Sequence, residues 1–288
     1  MSEELLAIEG AGACVIGAGE RADPTPYLAE PKTRKYMSAQ DEMAVVAAAR
    51  ALASAGVERG SLGARTGLYL TVGHIPFEHD DIAKVVESSM DQGEFSLARF
   101  TREGWQRGRP LVAFRCLPNM PAFHVSATFG IEGPCVVLYP GVGQLYLALD
   151  AAHDALARGD IDRALVGGVT HQRNFLVEHH FERVVPSVPK ERLGNAAAFL
   201  VMSRDERARV RREHVELQYQ PVDPRVDSVV PEELFSLDSA PVERTHEHGC
   251  ASLPLALATA MERGGPFVLE HRVAARDGIR ASSRWSAR

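Results

Sequence analysis

The sequence is short of what several functional classes require. No apolar run approaches the roughly 20 residues that cross a bilayer, and Met1 to Glu9 is acidic and polar where a secretory leader is basic and then apolar. The four cysteines, Cys14, Cys116, Cys135 and Cys250, are widely spaced, with no CxxC pair and no zinc-type Cys/His cluster. Cys14 and Cys135 fall in apolar strands, where a buried reduced thiol is expected, and the chain reads as cytoplasmic. No cofactor and no metal are expected. Excess positive charge is absent too: the net charge of -6 argues against general nucleic-acid binding. Arg272, Arg276, Arg280, Arg284 and Arg288 make a basic end, read as a solvated tail rather than a phosphate patch.

The most informative absence lies within Gly133 to Gly168. Val136 to Tyr139 is an apolar run between Gly133-Pro134 and Pro140-Gly141, the pattern of a buried strand. Val142, Leu145, Leu149, Ala152 and Leu156 then share one helical face, Gly159-Asp160 ends the helix, and Ala164 to Val169 predicts a second strand beside the first. Strand, tight turn and helix commonly present a nucleophile at the helix N-terminus, where the dipole favours an anion. The turn Pro140-Gly141-Val142-Gly143 contains none.

Around this unit, apolar strands alternate with helices, which argues α/β with the sheet covered on both faces. Strands are expected over Ala13–Gly17, Gly67–Val72, Ala196–Met202 and Phe267–Ala275, the last closing the chain. Helices are expected over Ser38–Ala55, where Ser38 and Asp41 make a capping-box start, and over Asp81–Met90, Phe95–Gln106, Ala122–Phe129, Asp205–Val215 and Ser252–Arg263. Residues 220–245 read as a connector. Gly17-Ala18-Gly19 lacks the third glycine of a dinucleotide loop and reads as a turn. His74, His79, Glu78, Asp80 and Asp81 read as a solvated loop, and His153, His171, His179 and His180 match no ligand pattern.

Leu117-Pro118-Asn119-Met120-Pro121-Ala122, His124-Val125-Ser126, Phe129-Gly130 and Gly133-Pro134, with Gly159-Asp160-Ile161-Asp162 and Gly167-Gly168, resemble the β-ketoacyl synthases of fatty-acid and polyketide assembly. The resemblance covers about residues 11–203, leaving 204–288 as a shortened C-terminal half of one domain spanning 1–288. It implies a thiolase-like fold, layered α-β-α-β-α and normally dimeric. In that family a cysteine opens the central helix; counted from both flanking motifs, its position here is Val142, which forms no thioester. Cys135 lies seven positions earlier, inside the strand. The family's His-Gly-Thr motif is missing, and His248 resembles its second histidine.

The resemblance then implies a non-catalytic subunit like the chain length factors, paired as a heterodimer with an active ketosynthase of type II polyketide, polyene or fatty-acid-like biosynthesis. Such a subunit shapes its partner's acyl tunnel and meets the acyl carrier protein through that partner. Val136, Val137, Leu138 and Tyr139 are the interface candidates, and Phe114, Met120 and Phe123 the tunnel candidates. Two alternatives stay open: a stand-alone thioesterase or acyltransferase using Cys250 with His248 or His246, and a degenerate scaffold dimer.

Overall fold

The computed structural model describes residues 7–58, 62–75, 77–108, 110–184, 186–204, 208, 210–221 and 232–288. The first half runs β1 (Ala7–Ile16), α1 (Ala39–Ser54), β2 (Thr66–Val72), α2 (His79–Ser88), β3 (Met90–Asp91), β4 (Glu94–Phe95), α3 (Leu97–Arg99), α4 (Val112–Cys116) and α5 (Met120–Phe129). The central unit is β5 (Cys135–Leu138), α6 (Gln144–Ala157) and β6 (Arg163–His171), followed by α7 (Phe175–Arg183) and β7 (Asn195–Ser203). The chain continues through β8 (Val210–Tyr219), β9 (Glu232–Leu237), β10 (Ala240–Pro241), α8 (Ser252–Arg263), β11 (Phe267–Ala274) and β12 (Ile279–Ala287).

Ten strands form one mixed sheet in the order β10-β9-β11-β12-β8-β1-β7-β6-β2-β5. Its two halves join where Ala7 and Ile8 of β1 pair with Arg211 and Val210 of β8. Alternation along the strands sorts side chains into two cores. Leu68, Leu70, Leu165 and Val169 face α1 and α5, while Tyr69, Ala164 and Val166 face α6 and α8. Helix α1 is buried nearly all round, as an alanine-rich helix must be to lie close on a sheet. A Cβ on Gly12 of β1 would strike the α1 backbone at Ala51, so glycine there permits the contact. Ser38 caps the helix: its Oγ accepts from the Asp41 N–H at 3.3 Å and Asp41 Oδ2 accepts from the Ser38 N–H at 2.5 Å.

The C-terminal strands close over α6 and α8 from the far side. One core unites Leu149 of α6, Leu257 of α8 and Leu200 of β7 with Leu269, Ile279 and Trp285. Removing a side chain of this kind costs about 2–5 kcal/mol. A chain of buried polar groups fastens the same layers. Trp285 Nε1 donates to Ser283 Oγ at 2.9 Å, Ser283 Oγ meets the Tyr146 hydroxyl at 2.9 Å, and that hydroxyl meets His271 Nδ1 at 2.7 Å. His271 Nε2 lies 3.0 Å from Glu233 Oε1, and Arg244 pairs with the other carboxylate oxygen. With the proton on Nε2, every donor in the chain has an acceptor. On the outward face of these strands Arg272, Arg280 and Arg284 are exposed.

The fold is α/β and thiolase-like, and several local expectations need correction. The strands flanking α6 are not neighbours: β2 lies between β5 and β6, parallel to both. The described part of the expected helix Asp205–Val215 is strand β8 from Val210 onward, paired with β12. Phe267–Ala274 is not the last strand, because β12 follows it. The basic end is therefore no tail: Arg284 on β12 pairs with Glu213 and Glu270.

Candidate functional site

Strands β2, β5 and β6 run parallel and end on the same side of the sheet, where the turn into α6 lies. The Tyr139–Pro140 peptide is cis. Val142 is half-buried and packs against the core shared by α6, α8 and the C-terminal strands. The turn is pressed onto the β11–β12 loop. A Cβ on Gly141 would strike the Asp277 carboxylate, and one on Gly143 would stand 2.5 Å from Ile279 Cβ. Asp277 Oδ2 accepts from Gln144 Nε2 at 3.0 Å, and Oδ1 accepts from the Ile279 N–H at 3.2 Å. The chain's own carboxylate is thus fixed beside the N-terminus of α6, the end of a helix that favours negative charge. Asp277 is not among the residues singled out from the sequence. Its one signal there is the turn pair Asp277-Gly278 after an apolar strand.

Gly168 of β6 brings in the segment that leads into α8, since a Cβ there would collide with the Cys250 carbonyl. Cys250 is sealed in the core. Its Sγ donates to the carbonyls of Thr71 at 3.3 Å and Val169 at 3.6 Å, and burial pushes the thiol up to about 12. Burial, then His246 and Arg244, pushes His248 down to about 4. The His246 and His248 rings approach at 6.0 Å, and among the described residues the Cys250 thiol bonds only to backbone carbonyls. The structure does not assemble the Cys250–histidine pair that relocated thioester chemistry requires.

Strand β5 is the end strand of the sheet, hydrogen-bonded only to β2 among the described residues. Val136 and Leu138 lean on the α6 core, Val137 on the α1 core, and Tyr139 is exposed. The tunnel candidates divide. Met120 is buried, whereas Phe114 and Phe123 are 48% and 57% exposed. Phe114 stands edge-on to Tyr36 at 6.1 Å. Tyr139 belongs to a cluster that sequence spacing does not show: His74 lies 6.2 Å from it, 4.8 Å from His180 and 5.9 Å from Phe181 between ring centroids. Burial, then His180, lowers the His74 pKa. Of the remaining histidines, His153 groups only with Asp150 and Asp154 on α6, and His171 lines a separate cleft.

The comparisons agree with this fold. Residues 7–199 match the family model of the β-ketoacyl synthase N-terminal domain. A PKS-NRPS hybrid synthetase of Aspergillus niger is 25% identical over 165 residues, 53% of this chain and 8% of that protein. The spectinabilin polyketide synthase system protein NorC of Streptomyces orinoci is 27% identical over 152 residues, 52% of this chain and 6% of that protein. The chain therefore spans less than a tenth of the length of these relatives. Among solved structures, the ishigamide ketosynthase/chain length factor superposes with a TM-score of 0.66 at 14% identity, covering 98% of this chain and 99% of that one. The AntDE:AntF complex of a type II acyl carrier protein with its ketosynthase gives 0.59 at 17% identity, over 75% of this chain and 69% of that one. No helix among the described residues is long and apolar enough to cross a membrane. Because that family model matches well over half of the chain, residues 7–199, the chain belongs to the β-ketoacyl synthase family.

Proposed function

We propose that this chain is a non-catalytic ketosynthase-family subunit that pairs with an active ketosynthase in polyketide or fatty-acid-like assembly and shapes its partner's acyl tunnel. One observation supports the reading: the turn Pro140-Gly141-Val142-Gly143, where counting from the flanking motifs puts the family's nucleophile at Val142, holds no nucleophile, and the Asp277 carboxylate lies against the adjacent helix end. A subunit built so cannot hold an acyl group on that turn. The free edge of β5 and exposed Tyr139 offer a surface on which a second thiolase-like sheet can continue. Phe114 and Phe123 are exposed apolar groups that such a partner would cover, while Met120 acts as core. The acyl carrier protein would then be met through the partner's catalytic half, with residues 1–288 of this chain entering the heterodimer as one domain.

The reading is tested by co-expression with the ketosynthases of the same pathway, native mass measurement and product analysis. A one-to-one heterodimer whose products change length when Phe114 or Phe123 is replaced by alanine is expected. A homodimer that ignores every such ketosynthase overturns it. Cys250 in its sealed site weighs against the stand-alone thioesterase reading, and no observation favours the scaffold reading over the first.

A further inference from the structure

A second site lies on the opposite face of the sheet from Val142. Alternation along β6 puts His171 on the α1 side with Val169. There the loop after β1, the loop after β2 and the start of α7 enclose a cleft of about 260 Å³. That is below the size of pockets that take drug-sized ligands, so its occupant is small.

Two guanidinium groups are held in its wall by acids behind them. Arg21 Nε donates to Glu42 at 2.7 Å and its Nη2 to the Met37 carbonyl at 3.2 Å. Arg173 Nε donates to Glu178 at 2.9 Å, leaving both its terminal nitrogens without a partner among the described residues. Anchored forks with free terminal N–H groups are preorganised for a carboxylate. Asn174 and Phe175, the cap and first residue of α7, border the same space, so the positive end of that helix adds to the field. The floor is His171, only 7% exposed, with an Nδ1 that has no hydrogen-bond partner. Burial, then Arg21, pushes its pKa down to about 4, so it is neutral at pH 7 and leaves the arginines as the local cations. Facing them is Glu78, whose carboxylate makes no hydrogen bond among the described residues. Glu20 is also in the wall, bound to the Gly17 N–H at 2.8 Å. Two carboxylates in the wall oppose a dianion such as phosphate and favour a ligand that brings its own donor.

We infer that this cleft binds a small α-hydroxy or α-amino acid, its carboxylate on Arg21 and Arg173 and its hydroxyl or ammonium group on Glu78. Nothing in this depends on the role proposed for Val142. Isothermal titration of the full chain at pH 7 with L-serine, L-lactate, acetate and inorganic phosphate tests it. Saturable binding of serine or lactate is expected, with acetate and phosphate weaker by about tenfold, the worth of one charge-assisted hydrogen bond. Arg173→Gln should weaken the acid by about tenfold or more. Glu78→Gln, which breaks no side-chain hydrogen bond among the described residues, should erase the advantage over acetate while leaving the far-ultraviolet spectrum unchanged. Absence of saturable binding by both serine and lactate overturns the inference. So does phosphate bound as tightly as either, or an acid-to-acetate ratio that Glu78→Gln leaves intact.

Discussion

The chemical silence of Cys250 can be measured directly against the chain's other thiols. Burial lifts it from an ordinary 9.0 to about 12. A rise of that size leaves about a thousandfold fewer thiolates at pH 8 than an unperturbed thiol would have, and only the thiolate attacks an electrophile. The sulfur is also closed off between the Thr71 and Val169 carbonyls, so a reagent must wait for the segment before α8 to open. Cys135, exposed on β5 with its thiol raised by partial burial, is the internal standard, and Cys116, half-buried with a thiol raised to about 11, falls between. Iodoacetamide labelling of the native chain at pH 8, followed by peptide mass analysis, should modify Cys135 first and Cys116 later. Cys14 and Cys250 should label only in urea, where the four rates converge. Native labelling of Cys250 at the rate of Cys135 would refute the reasoning. So would thioester turnover by the isolated chain that Cys250→Ala abolishes.

Further outcomes follow from other residues. Introducing a thiol with Val142→Cys should not give condensation, and the new thiol should be sluggish because the Asp277 carboxylate lies against both its neighbours, Gly141 and Gly143; adding Asp277→Asn should lower its pKa in a labelling-versus-pH profile. Tyr146→Phe strands His271 Nδ1 and Ser283 and should cost about 1–3 kcal/mol in urea unfolding, with the far-ultraviolet spectrum unchanged. Burial raises buried Asp41 from 3.8 to about 7, and its Oδ1 has no partner. The native state thus holds a proton there that the unfolded chain has released. Stability should fall as the pH rises from about 4 to about 7, by at most about 1.4 kcal/mol per pH unit, and Asp41→Asn should flatten that slope. Tyr139→Asp should dissociate any complex built on the β5 edge without lowering the melting temperature of the chain alone.

What was legible depended on periodicity surviving in the sequence. Helix α8 was readable to the residue because its apolar stripe is bounded by Gly264-Gly265, and α1 because Ser38 and Asp41 mark its start. Strand β8 was not. Its inward residues are Val210, then Val215 and Leu217, and the parity changes because Glu213 has no partner opposite. One extra residue erases the period of two, and the charges between imitate a solvated helix. Strand β12 was hidden for another reason: Ser283 points inward to bond Tyr146, so its core face is partly polar. At the site, the absence of any nucleophile from Pro140-Gly141-Val142-Gly143 was plain in the sequence. Asp277 and the cleft arginines were not, because they meet only after the chain folds back.

The burial of Trp285 has a practical consequence. The chain contains two tryptophans: Trp285 lies wholly inside the core it shares with α6 and α8, its indole N–H on Ser283, and Trp105 is 61% exposed near α2. Their emission should separate by wavelength, blue for the interior ring and red for the surface one. Trp285 then serves as a gauge of whether β11 and β12 stay seated on α6. Trp105 gauges whether anything has come to rest on the outside, so a single unlabelled fluorescence spectrum reports on folding and docking at once.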